Sequence, residues 1–506
     1  MALPTPTNDP QLSIIGIGVQ YPPSSLAPVE LSKLAKKHYP DSPSMSKVLA
    51  INEQTGILRR SSVVTVDHPL LNQATPATID RLHKFYMSRG VPLAVTAARK
   101  AVAEARIRPS DITHIVSTTC TNSANPGYDH AVSNELGLVS SVEKILLHGV
   151  GCSGGLAALR TAANLALAHS FRSKPARILC VALEVNTTLA RSELESIHNN
   201  QEARIGVCLF SDGASAVILS NGLGGPIPFQ NPVYSLLDWH HELIPNSQQE
   251  LGFDVDPMGW KVTLSPAVPA LAVTALQSSL DLLLSRASTY LPSQYKEASD
   301  FDWAIHPGGA KILVGAQKAL SLSPEHMRAS YDIYQNHGNS SSATIFSILD
   351  RHRHADMDQI TPDGRVREHV VSCAFGPGIT IETCILKRHG VAISSSGIPT
   401  PPDSKSGIDF SDRDEDLELF RTSSSLGGKR SNWCISPWRT VRSDDAINPR
   451  FTSPYSFRPP PQLRTSSNWK QKIMLLFGKC RSIFRGETRL PRGMTGMKGS
   501  DTRWIG

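Results

Sequence analysis

From Leu12 onward, short apolar runs rich in β-branched residues alternate with stretches rich in alanine and leucine. The apolar runs predict strands that are buried on both faces, and the alanine-leucine stretches predict helices that cover them. The clearest strands are LSIIGIGVQYP (12–22), ITHIVSTTC (112–120) and ARILCVALEV (176–185), and the clearest helix is VPLAVTAARKAVAEARI (91–107). This alternation predicts an α/β domain built on buried sheets.

Two passages of the chain resemble each other. GVCLFSDGASAVIL (206–219) and VVSCAFGPGITIETCIL (370–386) each combine an apolar run, a phenylalanine followed by a glycine-containing turn, and a second apolar run. We interpret both as strand–turn–strand units and expect a duplicated fold. The predicted halves are 12–225 and 226–390, preceded by an N-terminal extension of residues 1–11.

The composition changes after Arg388. Residues 391–506 are rich in serine, proline and arginine and have almost no periodic apolar pattern, which is typical of a disordered tail. This segment holds 19 basic and 11 acidic residues, whereas residues 1–390 hold 32 and 33, so the tail accounts for the net charge of +7. The global charge therefore says nothing about the ligand of the body. We expect no nucleic-acid partner.

One stretch of the tail, WKQKIMLLFGKCRSIFRG (469–486), places an apolar run among five basic residues. This pattern is typical of a basic helix that binds a membrane surface or a partner. A weakly structured tail is the alternative.

Neither a membrane span nor a secretion signal is expected. No run approaches the 18 or so uninterrupted apolar residues of a transmembrane helix, and the start, MALPTPTNDPQL, lacks a basic segment followed by an apolar one. The eight cysteines show no C-x-x-C spacing, and several lie in apolar runs, so we expect a reduced, cytoplasmic protein. We interpret His352 and His354, in RHRHAD, as a charged helix end and expect no metal site.

The strongest local feature is ILLHGVGCSGGLAALRTAANLALA (145–168), an apolar strand, a glycine-rich turn and a long helix. Cys152 lies in the turn, where the N-terminus of the helix favours a thiolate. We therefore regard Cys152 as the candidate nucleophile. A buried small residue in a close-packed turn is the alternative.

A thiolate nucleophile needs groups that hold its charge. FDWAIHPGGAKIL (301–313) places His306 at the end of an apolar strand, and YQNHGNSSSATIFSIL (334–349) places Asn339 in a turn before a helix. Ends of strands are where α/β active sites collect. Taken alone, His306 could be a capped or core histidine and Asn339 a helix N-cap.

In combination these motifs are specific. With GCSGG around Cys152, IHPGG around His306, GNSSSA around Asn339, LFSDGASAV with Phe210, and FGPG at 375–378, the chain resembles the type III polyketide synthases. These are the chalcone-synthase-like members of the thiolase fold, and the resemblance is strongest to the fungal branch that makes alkylresorcinols, alkylresorcylic acids and alkylpyrones. It covers roughly residues 12–390 and implies a thiolase-like fold of two duplicated halves in five αβαβα layers.

The resemblance implies an iterative condensing enzyme. Cys152 would carry the starter acyl group as a thioester, with His306 maintaining its thiolate as an ion pair. Asn339 and His306 would stabilise the enolate that forms when malonyl-CoA loses carbon dioxide. The substrates are coenzyme A thioesters, and no metal or organic cofactor is expected. A β-ketoacyl synthase III-like enzyme that condenses only once, and a catalytically dead scaffold, are the alternatives.

Pocket positions are also implied by the resemblance. Phe210 would be the gatekeeper between the CoA tunnel and the cavity, and Phe253 and Val262 stand where plant enzymes keep a glycine and a second phenylalanine. Phe253 and Val262, together with the small residues predicted for the cavity wall, favour a medium- to long-chain fatty acyl-CoA starter. The predicted substrate-binding residues are Cys120, Thr121, Asn186, Leu189, Phe210, Phe253, Val262, Ser341, Phe375, Gly376, Pro377 and Gly378. Ala374 replaces the first glycine of the family's GFGPG loop.

Contacts with CoA and with a second subunit are the least specific part of the resemblance. Lys47 and Arg59 are the predicted CoA-binding residues, Arg60 is a further candidate for a CoA phosphate, and a solvated surface charge is the alternative for each. Asn125 lies where the family extends a residue into the partner's cavity, so we expect a homodimer.

Overall fold

The computed structural model describes residues 10–224 and 232–389. All of them belong to the first of two compact units, Met1–Ser411. The predictions made for residues 391–506, including the helix at 469–486, and for most of the N-terminal extension lie outside the described residues.

The described residues form thirteen strands and thirteen α-helices. The strands are β1 Leu12–Gln20, β2 Ser24–Leu26, β3 Arg60–Ser62, β4 His114–Thr118, β5 Glu143–Leu147, β6 Arg177–Glu184, β7 Gly213–Ser220, β8 Tyr234–Leu243, β9 Leu251–Asp256, β10 Gly259–Leu264, β11 Asp302–Ile305, β12 His369–Gly376 and β13 Thr380–Arg388. The helices are α1 Pro28–His38, α2 Pro43–Glu53, α3 Ile79–Phe85, α4 Val91–Ala105, α5 Tyr128–Leu136, α6 Gly154–Phe171, α7 Ala190–Asn200, α8 Gly206–Leu209, α9 Val268–Ala287, α10 Ala310–Ala319, α11 Arg328–His337, α12 Thr344–His352 and α13 Ala355–Gln359. The four runs with the clearest pattern are confirmed as β1, β4, β6 and α4.

The strand order shows the duplication. Nine strands form one sheet in the order β11-β12-β13-β8-β1-β7-β6-β4-β5. In the first half β4 and β6 are parallel, and β6, β7 and β1 then pair antiparallel. In the second half β11 and β12 are parallel, and β12, β13 and β8 then pair antiparallel. The halves meet where β1 and β8 pair over three residues.

The prediction that both passages are strand–turn–strand units is wrong for the first passage. The run before Phe210 does not form a strand. It forms the short helix α8, which begins at Gly206. Only the second runs of the two passages, β7 and β13, occupy equivalent positions in the sheet. The counterpart of β12 is β6, about thirty residues earlier in the chain than α8. The boundaries proposed for the two halves stay predictions.

Buried residues alternate between the two faces of the sheet and define the layers. Cys180 and Ala374 pack in a core cluster with α6 and α12, which makes these helices a middle layer between the two halves. Leu179 faces the opposite way and packs with α4, whereas Cys373 packs with α9 and α10. The two halves of the nine-stranded sheet therefore form two layers, with one layer of helices between them and one outside each half. This arrangement confirms the predicted α/β fold.

The outer layer of the first half approaches β1 unusually closely. A Cβ atom on Gly18 would overlap the carbonyl oxygen of Ala97 in α4, and one on Gly16 would overlap that of Ala101. Glycines in β1 opposite alanines in α4 therefore bring strand and helix backbones into direct contact.

We expect Gly18→Ala to destabilise the protein because the added methyl group meets helix backbone, which cannot rotate away. Overpacking of this kind costs about 1–3 kcal/mol. The measurement is the thermal midpoint compared with that of Gly252→Ala, whose new Cβ would have nothing nearer than Thr263 Cβ at 3.9 Å. Equal midpoints for the two variants would contradict this account of the close approach.

Helix α9 is the one helix among the described residues that is long and apolar enough to span a membrane. Leu276, Leu280 and Leu283 lie on its buried face and belong to the core of the second half. Such packing is typical of a core helix, so length and composition alone are weak evidence for a span.

The prediction that His352 and His354 form a charged helix end is wrong, because both side chains are buried. His352 Nε2 lies 3.1 Å from Asp302 Oδ2, and Arg328 donates two hydrogen bonds to the same carboxylate. This buried network fixes the start of β11. No group of three or more potential metal ligands occurs among the described residues.

Candidate active site

Cys152 lies in a tight turn between β5 and α6. The turn Gly151–Ser153 is a single 3₁₀ turn, Gly151 has φ of +47°, and α6 begins at Gly154, as the glycine-rich pattern indicates. A Cβ atom on Gly151 would lie 2.6 Å from Pro377 Cδ, and one on Gly376 would overlap Ser153. The FGPG segment therefore packs directly on the nucleophile turn, and both sides of the contact need glycine.

Asn339 lies beside Cys152. The side chains of Asn339 and Ser341 both lower the pKa of the Cys152 thiol. Asn339 Oδ1 also accepts the backbone N–H of Ser341 at 2.8 Å, so the residue caps the following turn as well. Its backbone pairs with residues around Phe210, since its N–H donates to Leu209 O and its carbonyl accepts from Ser211 N.

His306 follows β11, and its backbone N–H donates to Cys373 O at 2.8 Å. The side chain is 1 % exposed, and neither ring nitrogen has a hydrogen-bond partner in the part of the chain that the structure describes. Its ring therefore does not act as a cap, and the side chain lies in the interior. The structure does not join His306 to Cys152 or Asn339 by a hydrogen bond.

Burial dominates the electrostatics of these two groups. It raises the pKa of Cys152 to about 12, against the smaller opposing effect of the Ser341 hydrogen bond, and it lowers the pKa of His306 to about 3. For Cys152 this is opposite to the direction expected from a helix N-terminus alone, because removal from water outweighs the helix dipole. Burial therefore disfavours the thiolate of Cys152 and the imidazolium of His306 when either charge forms alone.

Three apolar side chains gather around the nucleophile. Phe210 and Val262 form a buried cluster with Cys152, and Phe253 packs against it. The rings of Phe210 and Phe253 meet edge to face, with centroids 5.8 Å apart and planes inclined by 65°. Phe253 and Val262 are direct partners across the β9–β10 hairpin. The predicted gatekeeper positions thus come together as one apolar cluster.

Glu184, which the sequence pattern did not single out, organises the opposite wall. It is completely buried at the end of β6 and accepts hydrogen bonds from Cys120 Sγ at 3.3 Å, from Thr121 Oγ1 at 2.9 Å and from Ser342 Oγ. Burial raises the pKa of this carboxyl. Cys120 Sγ also lies 3.4 Å from Ser341 Oγ, and the Ser341 side chain lowers the pKa of the Cys152 thiol. The only sequence signal was a charged residue that ends an otherwise apolar strand.

Asp212 has a similar positioning role on the other side of Phe210. Its carboxylate accepts the backbone N–H groups of Asn186 at 2.6 Å, Thr187 at 2.8 Å and Val63 at 2.8 Å. Burial raises the pKa of Asp212 to about 6. Asp212 therefore helps to hold in place the turn that carries Asn186 and Leu189.

A small pocket lies beside the cluster around Cys152. Its apolar wall consists of Leu189, Ala190, Val207, Phe210 and Val262. Phe210 and Val262 also belong to the Cys152 cluster, so they separate the nucleophile from the cavity. Of the predicted pocket residues, the cavity therefore brings together Asn186, Leu189, Phe210 and Val262.

The FGPG segment contributes its phenylalanine to the protein core. Phe375 is buried in the outer core of the second half, on the opposite sheet face from the middle-layer helices. Gly378 has φ of +105° and donates its N–H to Leu251 O at 3.1 Å. Ala374 lies within β12, paired with Glu382, so the alanine needs no unusual backbone conformation.

The basic residues proposed for CoA binding are in different surroundings. Lys47 is exposed on α2, and Arg59 is half-buried at the start of β3. Arg60 is only 4 % exposed, so it cannot be the surface group for a CoA phosphate that the sequence suggested. Asn125 is exposed in the loop before α5.

Comparison with known proteins connects this geometry to a family. The models of chalcone and stilbene synthases match residues 39–223 with their N-terminal domain and residues 236–390 with their C-terminal domain. The type III polyketide synthase pspB of Penicillium soppii is 38 % identical over 393 residues, which is 75 % of this chain and 96 % of pspB. The acylalkylpyrone synthase csyB of Aspergillus oryzae is 37 % identical over 394 residues, 77 % and 98 % of the two chains.

Solved structures agree. A type III pentaketide synthase from Neurospora crassa has 63 % sequence identity and a TM-score of 0.74, and the match covers 75 % of this chain and all of that one. CsyB complexed with CoA-SH has 36 % identity and a TM-score of 0.71 over 74 % of this chain and all of that one. The fold is therefore thiolase-like. By family models, curated relatives and structure alike, the chain belongs to the chalcone and stilbene synthases and is a type III polyketide synthase.

Proposed function

We propose that this polyketide synthase elongates medium- to long-chain fatty acyl-CoA starters with malonyl-CoA. The products would cyclise to alkylpyrones, alkylresorcinols or alkylresorcylic acids. The observation that carries the proposal is the apolar cluster of Phe210, Phe253 and Val262 around the Cys152 thiol, whose pKa the neighbouring Asn339 lowers. The names of two relatives, an acylalkylpyrone synthase and a pentaketide synthase, are consistent with it.

Loading begins at Cys152. Its thiolate attacks the carbonyl carbon of the acyl-CoA, the CoA thiolate leaves and takes a proton, and a thioester remains on the enzyme. Burial disfavours the thiolate and the imidazolium separately, but proton transfer from Cys152 to His306 creates both charges together, and their attraction offsets part of the cost. His306, whose ring nitrogens have no other partner in the described chain, is suited to receive that proton.

Malonyl-CoA then binds and loses carbon dioxide. The electrons of the broken bond form an enolate at the thioester carbonyl, and donors from Asn339 and His306 stabilise the developing negative charge. The enolate carbon attacks the Cys152 thioester, which releases the thiol and leaves a β-ketoacyl-CoA that can load again. Loss of carbon dioxide makes carbon–carbon bond formation favourable, so these steps call for no metal or organic cofactor.

The apolar side chains suit a fatty starter. Phe210 would exclude water from the thioester while it contacts malonyl-CoA, and Leu189 and Val262 offer apolar surface against which methylene groups would be buried. Lys47 and Arg59 would contact CoA, and Asn125, exposed before α5, would reach the partner in a homodimer.

Product profiling across starters tests the proposal. Purified protein is incubated with labelled malonyl-CoA and acyl-CoAs from acetyl to octadecanoyl, with p-coumaroyl-CoA as the aromatic comparison. We expect triketide and longer pyrones or resorcinols, with the highest turnover for decanoyl and longer starters. Faster turnover with p-coumaroyl-CoA would contradict the fatty starter, and a single β-ketoacyl product would contradict iteration.

A further inference from the structure

A phenylalanine ends helix α6 in an exposed position. Phe171 is 90 % exposed, the highest exposure of any large apolar side chain among the described residues. Leu167, one helical turn earlier on the same face, is 37 % exposed, and Leu223, in the loop after β7, is 36 % exposed. Apolar side chains that share one exposed surface mark a site of interaction with another molecule or with a membrane.

Hydrogen bonds join the loop after β7 to the end of α6. Asn221 Nδ2 donates to Ser170 Oγ at 3.1 Å and to Lys174 O at 2.9 Å. Ser170 and Lys174 flank Phe171 in the chain, and Leu223 follows Asn221 by two residues. The two segments are therefore fixed to each other, and Phe171 and Leu223 belong to one surface.

Two basic side chains follow Phe171. Arg172 and Lys174 are exposed, and neither forms an ion pair with a carboxylate in the part of the chain that the structure describes. Their backbone N–H groups both donate to His169 O, at 3.0 Å and 2.9 Å, so this short segment is ordered. An apolar side chain beside unpaired cations is complementary to a bilayer that contains anionic lipids, because the ring can enter the headgroup region while the cations contact phosphates.

The chain leaves the described body at the same end of the sheet. One row of paired residues crosses five neighbouring strands, namely Arg177, Ser220, Ser13, Ser235 and Lys387. At about 4.8 Å per strand, the start of β6 and the end of β13 are about 20 Å apart. Residues 391–506, with their 19 basic and 11 acidic residues, therefore begin close to the surface that carries Phe171.

We propose that the end of α6 is a docking site for a membrane surface that contains anionic phospholipids. Phe171 enters the headgroup region, and Arg172 and Lys174 contact lipid phosphates. This site is part of the folded body, is separate from the basic segment at 469–486, and does not depend on which starter the enzyme uses. Cys152 lies at the opposite end of α6, about 27 Å away for a helix of 18 residues, so docking leaves the nucleophile turn unobstructed.

Vesicle binding by the full chain tests the inference. The vesicles contain phosphatidylcholine alone, or phosphatidylcholine and phosphatidylserine at about 7:3, and bound protein is separated by flotation. We expect wild type to bind the anionic vesicles at least about tenfold more tightly than the neutral ones. Phe171→Ser should weaken binding to anionic vesicles about tenfold and Lys174→Ser about fivefold, whereas Phe171→Trp should retain it because tryptophan also favours the interface.

Val255→Ser and Lys84→Ser are the matched controls. Val255 is 78 % exposed on the β9–β10 hairpin, and Lys84 is exposed on α3, whose Leu82 lies against the same hairpin at Gly259. This hairpin packs near Cys152, away from Phe171, so both control variants should bind vesicles as wild type does. Phe171→Ser should also keep wild-type turnover in solution, which would show that the variant is folded.

Three outcomes would overturn the inference. The first is a wild type that does not prefer anionic vesicles. The second is binding that survives Phe171→Ser and Lys174→Ser unchanged, which would assign membrane contact to residues 391–506 alone. The third is a lower molecular mass of Phe171→Ser than of wild type by light scattering without lipid, which would show that Phe171 contacts a second copy of the chain instead.

Discussion

Replacing Cys152 with alanine is expected to abolish polyketide formation, with a loss of about 1,000-fold or more in turnover, as for removal of other covalent nucleophiles. Without the thiol no acyl-enzyme forms, so there is no electrophile for the enolate to attack. Asn339 keeps the hydrogen bond that its Oδ1 accepts from Ser341 N in this variant. The variant should therefore still decarboxylate malonyl-CoA to acetyl-CoA.

The two activities are measured separately, polyketide by mass spectrometry and acetyl-CoA by chromatography. Cys180→Ala is the control, since Cys180 is a buried thiol in the middle core, away from the Cys152 cluster. We expect it to retain both activities. Polyketide formation by Cys152→Ala at near wild-type rates would show that another group carries the chain.

The second large effect concerns His306 and the ionisation of Cys152. Burial raises the pKa of Cys152 to about 12, so an isolated thiol at this position is protonated at neutral pH and its reactivity rises about tenfold per pH unit. If Cys152 and His306 exchange a proton, the wild-type thiol is instead partly ionised at neutral pH. His306→Gln removes the proton acceptor and leaves only the effect of burial.

Alkylation of Cys152 by iodoacetamide, followed across roughly pH 6 to 9, tests this because it reports the thiolate directly. We expect a nearly flat rate for wild type and a rate that is about 100-fold lower at neutral pH, but steeply rising with pH, for His306→Gln. The Cys152→Ala protein serves as the blank for other cysteines. Identical steep profiles for wild type and His306→Gln would mean that the pair is uncharged in the enzyme without substrate.

The sequence predicted the features that depend on local pattern. Glycines around Cys152 indicated a tight strand-to-helix turn, and the structure explains Gly151 by its contact with Pro377 of the FGPG segment. The apolar runs indicated β1, β4 and β6, because strands buried on both faces leave a continuous apolar signal.

Features that depend on long-range burial could not be predicted in this way. Arg60 and His352 carry polar side chains in polar stretches, and only the tertiary packing places them in the interior. Glu184 ends an apolar strand, but its four hydrogen-bonding partners come from two segments, residues 119–121 and Ser342, that are both far from it in the chain. The direction of the Cys152 pKa shift could not be predicted from the sequence either, because it is set by how completely the folded chain removes the thiol from water.

The most direct test of the account is intact-protein mass spectrometry of wild type mixed with decanoyl-CoA, followed by addition of malonyl-CoA. The account predicts one decanoyl adduct, mapped by peptide sequencing to Cys152, which is then replaced by adducts one or more ketide units heavier as pyrone or resorcinol accumulates. An adduct on another residue, or polyketide formed with no adduct on Cys152 at any time, would contradict it.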